Sequence, residues 1–262
     1  MHRTMLAAAA ACLTFAGAAR AEVRTKTIEY RQGDTPLQGF LAWDDSAKDK
    51  RPGVLVIHEW WGENEHARNQ AVRLAKAGYV GFALDMYGKG KVATHPKDAQ
   101  AFMEEATKDP GVVRARFDAA MAVLKAQPQV DSSKIGVVGY CFGGGVALQM
   151  AREGAEIDAL ATFHGALALH GEPAQKGKVK PRILVATGGG DPMVPKEQVE
   201  ALKKEMKDAG ANFEVVTYPG AKHSFTNPDA GKAGMDGLAY NATADRESWK
   251  AAMKMFHEVF KS

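Results

Sequence analysis

The sequence predicts an α/β fold with a mostly parallel, doubly wound sheet that begins with an antiparallel N-terminal hairpin. Two observations support this prediction. Short apolar runs alternate with amphipathic stretches from about residue 50 onward, and two β-rich runs come before the first helical stretch. Near-continuous apolar runs are typical of strands buried on both faces, as in a parallel sheet. The alternation places helices on both faces of that sheet.

The predicted elements come one after another in a regular order. The hairpin pairs 26–30 with 37–43 around a turn at 33–36. The later strands are predicted at 53–58, 79–84, 135–139, 159–163, 182–187 and 212–218, and the helices at 64–77, 95–109, 112–127, 142–153, 196–209 and 241–261. In open sheets of this kind ligands bind beyond the carboxyl ends of the strands, so the residues after each strand are the candidates for function.

The composition is that of a folded globular protein. Of the 262 residues, 45% are hydrophobic and 25% are charged, which excludes a disordered chain, a collagen-like repeat and a coiled coil. The formal net charge is only +3, and no long cluster of Lys and Arg marks a nucleic-acid-binding surface. No repeat or linker divides the chain, so residues 22–262 are predicted to form a single domain.

The first 21 residues have the pattern of a secretory signal peptide. Arg3 precedes the apolar run 5–18, and the small residues at 19 and 21 match the site at which such peptides are cut. The apolar run is too short to span a membrane comfortably. We therefore expect export to the periplasm or out of the cell, no membrane association after cleavage, and a mature chain whose only cysteine is Cys141.

Cys141 lies where a predicted strand turns directly into a helix, within the segment 139–143 (GYCFG). A nucleophile on such a turn has a strained backbone, and the residues two before and two after it crowd the turn, so glycine is favoured at both places. The amides that begin the following helix favour negative charge developing at the site. The same segment is also compatible with a glycine-rich turn that buries an inert cysteine.

Asp191 and His223 are the predicted partners of Cys141. Each comes after a different predicted strand, and the chain order is nucleophile, acid, base. That order, with each residue at the carboxyl end of a strand, is the order of a catalytic triad on this architecture. Asp85 also comes after a strand, but it precedes the nucleophile in the chain, so a structural role is favoured for it.

The chain resembles the dienelactone hydrolase family of α/β-hydrolases. The matching residues are Glu59 after a buried strand, the segment 85–87 (DMY), the elbow at 139–144 (GYCFGG), Asp191, and the segment 223–225 (HSF). The resemblance covers essentially the whole of residues 22–262. It implies an α/β-hydrolase fold and the hydrolysis of a small ester or lactone.

The resemblance also implies roles for individual residues. The triad is carried over as Cys141, His223 and Asp191, and the oxyanion hole as the backbone amides of Phe142 and Trp60. Glu59 matches a family glutamate that contacts the thiol and helps to deprotonate it when substrate binds. Asn227 stands where the family has an arginine that binds the substrate carboxylate.

The remaining pocket is predicted to be lined by Trp61, Tyr87, His164 and Asn227. Trp61 and Tyr87 are aromatic residues close to the ends of strands, and His164 comes directly after another strand. Packing alone also explains the two aromatic residues, and a structural role for His164 remains open. His58 and Glu59 are adjacent on a strand and point to opposite faces, so neither a metal site nor a cofactor is predicted.

The leading hypothesis is an exported hydrolase that cleaves a small ester or lactone through a thioester acyl-enzyme, as a monomer or small homo-oligomer. Two alternatives keep the fold. One is a thiol-redox protein that uses Cys141, and the other is a non-catalytic protein that binds a small ligand. The mature chain has no second cysteine to resolve a disulfide. The complete set of triad residues counts against a relic of a former active site.

Overall fold

The computed structural model describes residues 22–168 and 171–261, so the predicted signal peptide lies outside the described residues. The strands are β1 Val23–Gln32, β2 Thr35–Asp44, β3 Arg51–Ile57, β4 Val80–Leu84, β5 Val130–Tyr140, β6 Ala159–Phe163, β7 Arg182–Gly188 and β8 Phe213–Tyr218. The helices are α1 Glu65–Lys76, α2 Pro96–Thr107, α3 Pro110–Lys125, α4 Phe142–Arg152, α5 Lys196–Asp208 and α6 Ala242–Lys261, with a short 3-10 helix at Ala230–Ala233.

The described strands form one mixed sheet in the order β1-β2-β4-β3-β5-β6-β7-β8. β1 is antiparallel to β2 and β2 is antiparallel to β4, whereas all the other neighbours are parallel. The predicted fold, a mostly parallel sheet with an antiparallel N-terminal hairpin, is therefore confirmed.

Two predicted boundaries differ from the structure. The hairpin turn is shorter than predicted, because Thr35 and Pro36 already pair with β1. Gly33 has a φ of 54°, and this left-handed backbone allows the tighter turn that matches the twist of the strands. β5 begins at Val130 rather than Ile135, because its first residues pair with the start of β3 before the register shifts.

Helices cover both faces of the sheet and bury two separate apolar cores. On one face α1 and α6 contribute Leu74, Phe256 and Phe260, and on the other α3 and α5 contribute residues such as Phe117 and Leu202. No helix in the described part of the chain is both long enough and apolar enough to cross a membrane. Because the central strands are parallel, their carboxyl ends meet at one edge of the sheet, where the predicted site residues lie.

Candidate active site

Cys141 occupies a strained turn between β5 and α4. Its backbone has φ 50° and ψ −117°, a conformation that residues other than glycine rarely adopt. The turn is so tight that a Cβ at Gly139 would lie 2.3 Å from the carbonyl oxygen of Gly143. A Cβ at Gly143 would lie 2.3 Å from the carbonyl oxygen of Ile57 on β3. Only glycine fits at either position, and the turn leaves the Cys141 side chain partly exposed.

His223 and Asp191 form a buried pair at the ends of β8 and β7. The Nδ1 atom of His223 lies 2.7 Å from Oδ2 of Asp191, and both side chains are almost inaccessible to solvent. The amide of Met193 donates to the other carboxylate oxygen of Asp191 at 2.8 Å. The backbone of His223 is fixed as well, because its amide donates to the carbonyl oxygen of Gly237 at 3.1 Å. This pairing orients the imidazole so that its second nitrogen, Nε2, is left available.

The surroundings of His223 favour its protonated form. Burial alone would lower the pKa of His223, but the negative charges of Cys141 and Asp191 outweigh burial and raise it to about 10. Cys141 acts on this pKa both through its charge and as a hydrogen-bond partner. Nε2 nevertheless has no partner of ordinary hydrogen-bond geometry among the described residues. Cys141 is thus close enough to affect the pKa of His223 without a hydrogen bond of ordinary geometry to Nε2, as is common for catalytic contacts before substrate binds.

The backbone amides predicted to form the oxyanion hole are those of Phe142, which follows Cys141, and Trp60, which follows β3. Within the described residues, neither the amide of Phe142 nor that of Trp60 donates a hydrogen bond. The amide of Gly143 donates to the carbonyl oxygen of His58 at 3.1 Å, which ties the cysteine turn to the segment that carries Trp60. The hydroxyl of Tyr87 donates to the carbonyl oxygen of Trp60 at 3.1 Å and fixes that peptide.

Glu59 is a buried carboxylate held from the loop that comes after His223. The hydroxyl of Ser224 donates to its Oε1 at 2.6 Å, and the side-chain amide of Asn227 donates to its Oε2 at 2.7 Å. Nδ1 of His66 lies 3.7 Å from the same Oε2. The expected contact with the thiol is not among the hydrogen bonds of Glu59 to described residues. Asn227, which stands where the family has an arginine, is therefore used to hold Glu59.

His164 lies behind the His223 ring and is fully buried. The two rings meet edge to face with their centroids 5.3 Å apart, and Nε2 of His164 shares a 2.8 Å hydrogen bond with the hydroxyl of Thr226. Burial lowers the pKa of His164 well below its ordinary value, so the ring is neutral. Like Cys141, His164 has a left-handed backbone, with φ 42°.

The three aromatic candidates differ in exposure. Tyr87 is only 2% exposed and packs 5.6 Å from the ring of Phe142, and burial raises the pKa of its hydroxyl above the ordinary range. Trp60 and Trp61 are half-buried, with their ring centroids 5.0 Å apart. The two tryptophans thus retain some exposed surface at this edge of the sheet, whereas Tyr87 is buried and contacts the backbone of Trp60.

Asp85 and His58 have structural partners that occupy their polar atoms. Asp85 accepts hydrogen bonds from the amides of Tyr87 and Gly88, each at 2.8 Å, as well as from the amide of Gln38. His58 accepts from the amide of Met86, and burial lowers its pKa. In the part of the chain that the structure describes, no group of three or more His, Cys, Asp or Glu is placed to hold a metal ion.

Four residues at the site were given no role by the sequence patterns: His66, Gln70, Ser224 and Thr226. His66 and Gln70 are four positions apart on the buried face of α1, among alanine and leucine residues. Two polar residues at helical spacing on an apolar face are the pattern by which they are recognisable. Ser224 and Thr226 carry no comparable pattern, because their partners come from distant parts of the chain.

The chain is similar to known hydrolases over most of its length. The model of the dienelactone hydrolase family matches residues 37–260. Protein usf of Aquifex pyrophilus is 29% identical over 236 residues, which cover 88% of this chain and 97% of that protein.

Two solved structures are closer in sequence. The structure named m3DLH is 38% identical with a TM-score of 0.86, and the match covers 90% of this chain and 98% of that one. A dienelactone hydrolase-like promiscuous phosphotriesterase, P91 from metagenomic libraries, is 37% identical with a TM-score of 0.87, covering 92% of this chain and 99% of that one. The chain belongs to the dienelactone hydrolase family and is a hydrolase of carboxylic esters or lactones.

Proposed function

We propose that the protein cleaves a small ester or lactone with Cys141 as the nucleophile, His223 as the acid–base and Asp191 as the group that orients His223. The main support is the buried 2.7 Å contact between His223 and Asp191 next to a cysteine on a strained turn. Strained backbone persists where the surrounding structure enforces it, and it is concentrated at functional sites.

The first half of the reaction forms an acyl-enzyme. The thiolate of Cys141 attacks the carbonyl carbon, and the electron pair of the C=O bond moves to oxygen, where the amides of Phe142 and Trp60 donate to it. Loss of one such donor typically costs about 10²–10³ in rate. When the tetrahedral intermediate collapses, the C–O bond to the leaving group breaks and His223 gives its proton to the departing alkoxide. The acyl group is left on Cys141 as a thioester.

The second half of the reaction uses water. Neutral His223 accepts a proton from a water molecule, the hydroxide attacks the thioester carbonyl, and the thiolate of Cys141 leaves. Asp191 holds the imidazole with Nε2 facing the reaction and stabilises its charged form. Despite burial, Cys141 and Asp191 raise the pKa of His223, so the imidazole holds the proton that it gives to the departing alkoxide.

The two alternative functions have less support. A disulfide redox cycle requires a second thiol, and Cys141 is the only cysteine in residues 22–262. A protein that only binds a ligand would have no need of an oriented His–Asp pair beside a strained cysteine. The hydrolase therefore uses more of the observed geometry than either alternative.

The deciding experiment is hydrolysis of a short-chain p-nitrophenyl ester by the protein and by Cys141→Ala and His223→Ala. We expect each substitution to lower kcat/KM by at least about 10³-fold, since members of a triad act as a unit. His257→Ala, at an exposed position on α6, is the matched control and should retain full activity. Mass spectrometry of the quenched reaction should find the acyl group on Cys141. Equal slow rates in all four proteins would contradict the proposal.

A phosphotriester belongs in the same assay. The similar P91 structure is described as a promiscuous phosphotriesterase, and a thiolate that attacks a carbonyl carbon can also attack phosphorus. We propose this as a weaker second activity of the same site. Its rate should fall with that of the ester in Cys141→Ala.

Export is a separate proposal that rests on the sequence pattern of residues 1–21. Expression of the full chain in a bacterial host should yield a protein outside the cytoplasm. Its intact mass should equal that of residues 22–262. The intact mass of the uncleaved chain, with all of the protein in the cytoplasm, would contradict the export proposal.

A further inference from the structure

A row of buried polar side chains runs from the residue before the cysteine to Glu59. The hydroxyl of Tyr140 donates to Oε1 of Gln70 at 3.1 Å, and Nε2 of Gln70 lies 3.3 Å from Nε2 of His66. Nδ1 of His66 in turn lies 3.7 Å from Oε2 of Glu59. None of these four side chains belongs to a residue more than 8% exposed. Buried polar groups are kept where their hydrogen bonds serve a purpose, so the row requires an explanation.

The direction of each donor in the row is determined by the first contact. Because Oε1 of Gln70 accepts from Tyr140, its amide nitrogen is the atom that faces His66 and donates to it. Nε2 of His66 is therefore an acceptor, and the ring proton is on Nδ1. That buried atom has no hydrogen bond of ordinary geometry to a described residue, and it is the ring nitrogen nearest the Glu59 carboxylate. Every donor in the row thus points towards Glu59.

Within the described residues, no free arginine or lysine faces Glu59 from the same side. A cavity of about 350 Å³ adjoins His66 and Asn227, and its charged lining residues are Glu65, Arg73, Asp229 and Asp245. Arg73 is already bound to Asp245 at 2.7 Å and lies over the ring of Trp249 at 4.1 Å. Among the described residues, Glu59 accepts hydrogen bonds from Ser224 and Asn227, and Nδ1 of His66 faces its Oε2 at 3.7 Å.

The carboxylate of Glu59 connects this row to the catalytic histidine. Ser224, the residue directly after His223, donates to Glu59 and has a left-handed backbone with φ 55°. A conformation of that kind persists only when its surroundings enforce it. A carboxylate that loses one of its donors can turn away from the others, and such a movement would release Ser224 and with it the position of His223.

We propose that His66 is a positioning residue, which keeps Glu59 turned towards Ser224 and Asn227 and thereby holds His223 in register with Cys141. This inference rests on the proposed function, because His66 acts through the triad. It assigns a role in catalysis to a side chain of α1 that does not touch the substrate.

Three substitutions of His66 distinguish the role of its Nδ1 from that of its Nε2. In His66→Asn the side-chain amide nitrogen falls close to the position of Nδ1, whereas in His66→Gln it falls close to that of Nε2. His66→Phe retains the edge-to-face packing against Tyr140, whose ring centroid is 5.2 Å away, but has no nitrogen. His257→Phe, at an exposed site, is the matched control.

Two readouts respond to position rather than to folding. We expect His66→Phe and His66→Gln to lower kcat on the ester about tenfold or more with KM little changed, and His66→Asn to restore most of kcat. The second readout is the rate of alkylation of Cys141 by iodoacetamide as a function of pH. A misplaced His223 stabilises the thiolate less, so the alkylation profile of the Phe and Gln variants should move to higher pH.

The inference fails if His66→Phe matches the unchanged protein in both readouts, or if the Gln and Asn variants behave alike. It also fails if His66→Phe lowers the alkylation rate further in a Glu59→Gln background, since His66 would then act without Glu59. If the Phe variant does not fold, the Asn and Gln pair decides. Failure of the proposed function is distinguishable, because alkylation of Cys141 is measured without any ester.

Discussion

Two neighbouring turns at the carboxyl edge of the sheet have similar backbone conformations but differ in how they expose the side chain. Cys141 comes after β5 with φ 50°, and His164 comes after β6 with φ 42°. The backbone of each residue extends the hydrogen bonding between its strand and the next one. The amide of Cys141 donates to the carbonyl oxygen of Phe163, and the amide of His164 donates to the carbonyl oxygen of Ala186. The turns also touch, because the amide of Ala166 donates to the carbonyl oxygen of Cys141 at 3.0 Å.

The two turns differ in the chain segment that continues from each strained residue. After Cys141 a helix begins at once, with glycines that let it approach β3, so the side chain emerges at the site with free amides beside it. After His164 no helix begins, and the ring is fully buried between His223 and Phe225. Strain alone therefore does not distinguish the two turns. They differ in the exposure of the strained side chain and in the free amides beside it.

The largest expected effect comes from adding one methyl group to the cysteine turn. In Gly143→Ala the new Cβ would meet the carbonyl oxygens of Ile57 at 2.3 Å and His58 at 2.6 Å, both part of the backbone. Helix propensity alone predicts a gain of about 1 kcal/mol from this change. We expect the clash to prevail and to lower the free energy of unfolding by more than about 3 kcal/mol, as measured by urea denaturation.

The matched substitution in the second turn is Gly165→Ala. Its Cβ would lie 3.2 Å from the Cα of Gly144, a close contact that small shifts relieve. We expect a change in unfolding free energy below about 1.5 kcal/mol, because the reduced freedom of the unfolded chain offsets part of the contact. Equal losses in the two variants would mean that the turns are equally tight, against the geometry described.

A smaller effect is expected in how the free energy of unfolding depends on pH, where His164 and His223 contribute with opposite sign. The folded state keeps His164 neutral, because burial lowers its pKa well below the ordinary value of 6.5. Below that pH the unfolded chain binds a proton that the folded chain does not, so stability falls by up to about 1.4 kcal/mol per pH unit. His164→Asn, which tolerates the left-handed backbone, should reduce this slope by the same amount.

The sign is reversed for His223. Its pKa is raised to about 10, so its contribution to stability is complete below 6.5 and is lost as the pH rises towards 10. Urea denaturation of His164→Asn and the unchanged protein between about pH 5 and 7 measures the difference in slope. The comparison has to be made variant against parent, because burial also raises the pKa of Glu63 to about 7, with opposite sign. Parallel curves would show that folding leaves the pKa of His164 unchanged.

Local patterns predicted the strands, the helices and the cysteine turn, because periodicity and the crowding of a tight turn are properties of short segments. The positions of Asp191 and His223 were predictable from the rule that sites lie beyond the carboxyl ends of parallel strands. The partners of Glu59 were not predictable from any pattern. Ser224 is 165 residues away from Glu59 in the chain and Asn227 is 168 residues away, so only the folded sheet brings them together.

The antiparallel pairing of β2 with β4 was also not predictable from any pattern in the sequence. The hairpin of β1 and β2 is fixed by its turn, but the strand that accepts its outer edge is decided by competition among all the strands of the sheet. The proton position on His66 is likewise a product of the whole row of donors, since it depends on the amide of Gln70.

The site residues lie after strands that differ in position within the sheet, and we expect edge strands to unfold locally more readily than central ones. β8 lies at one end of the order, and β7 is its single strand partner in the described sheet. The margins of a native structure open in local excursions that cost far less free energy than global unfolding. An opening at β8 would move His223, which follows that strand, whereas Cys141 follows the central strand β5. If the proposed role of His223 holds, we expect warming to lower activity at temperatures at which the two apolar cores are still folded.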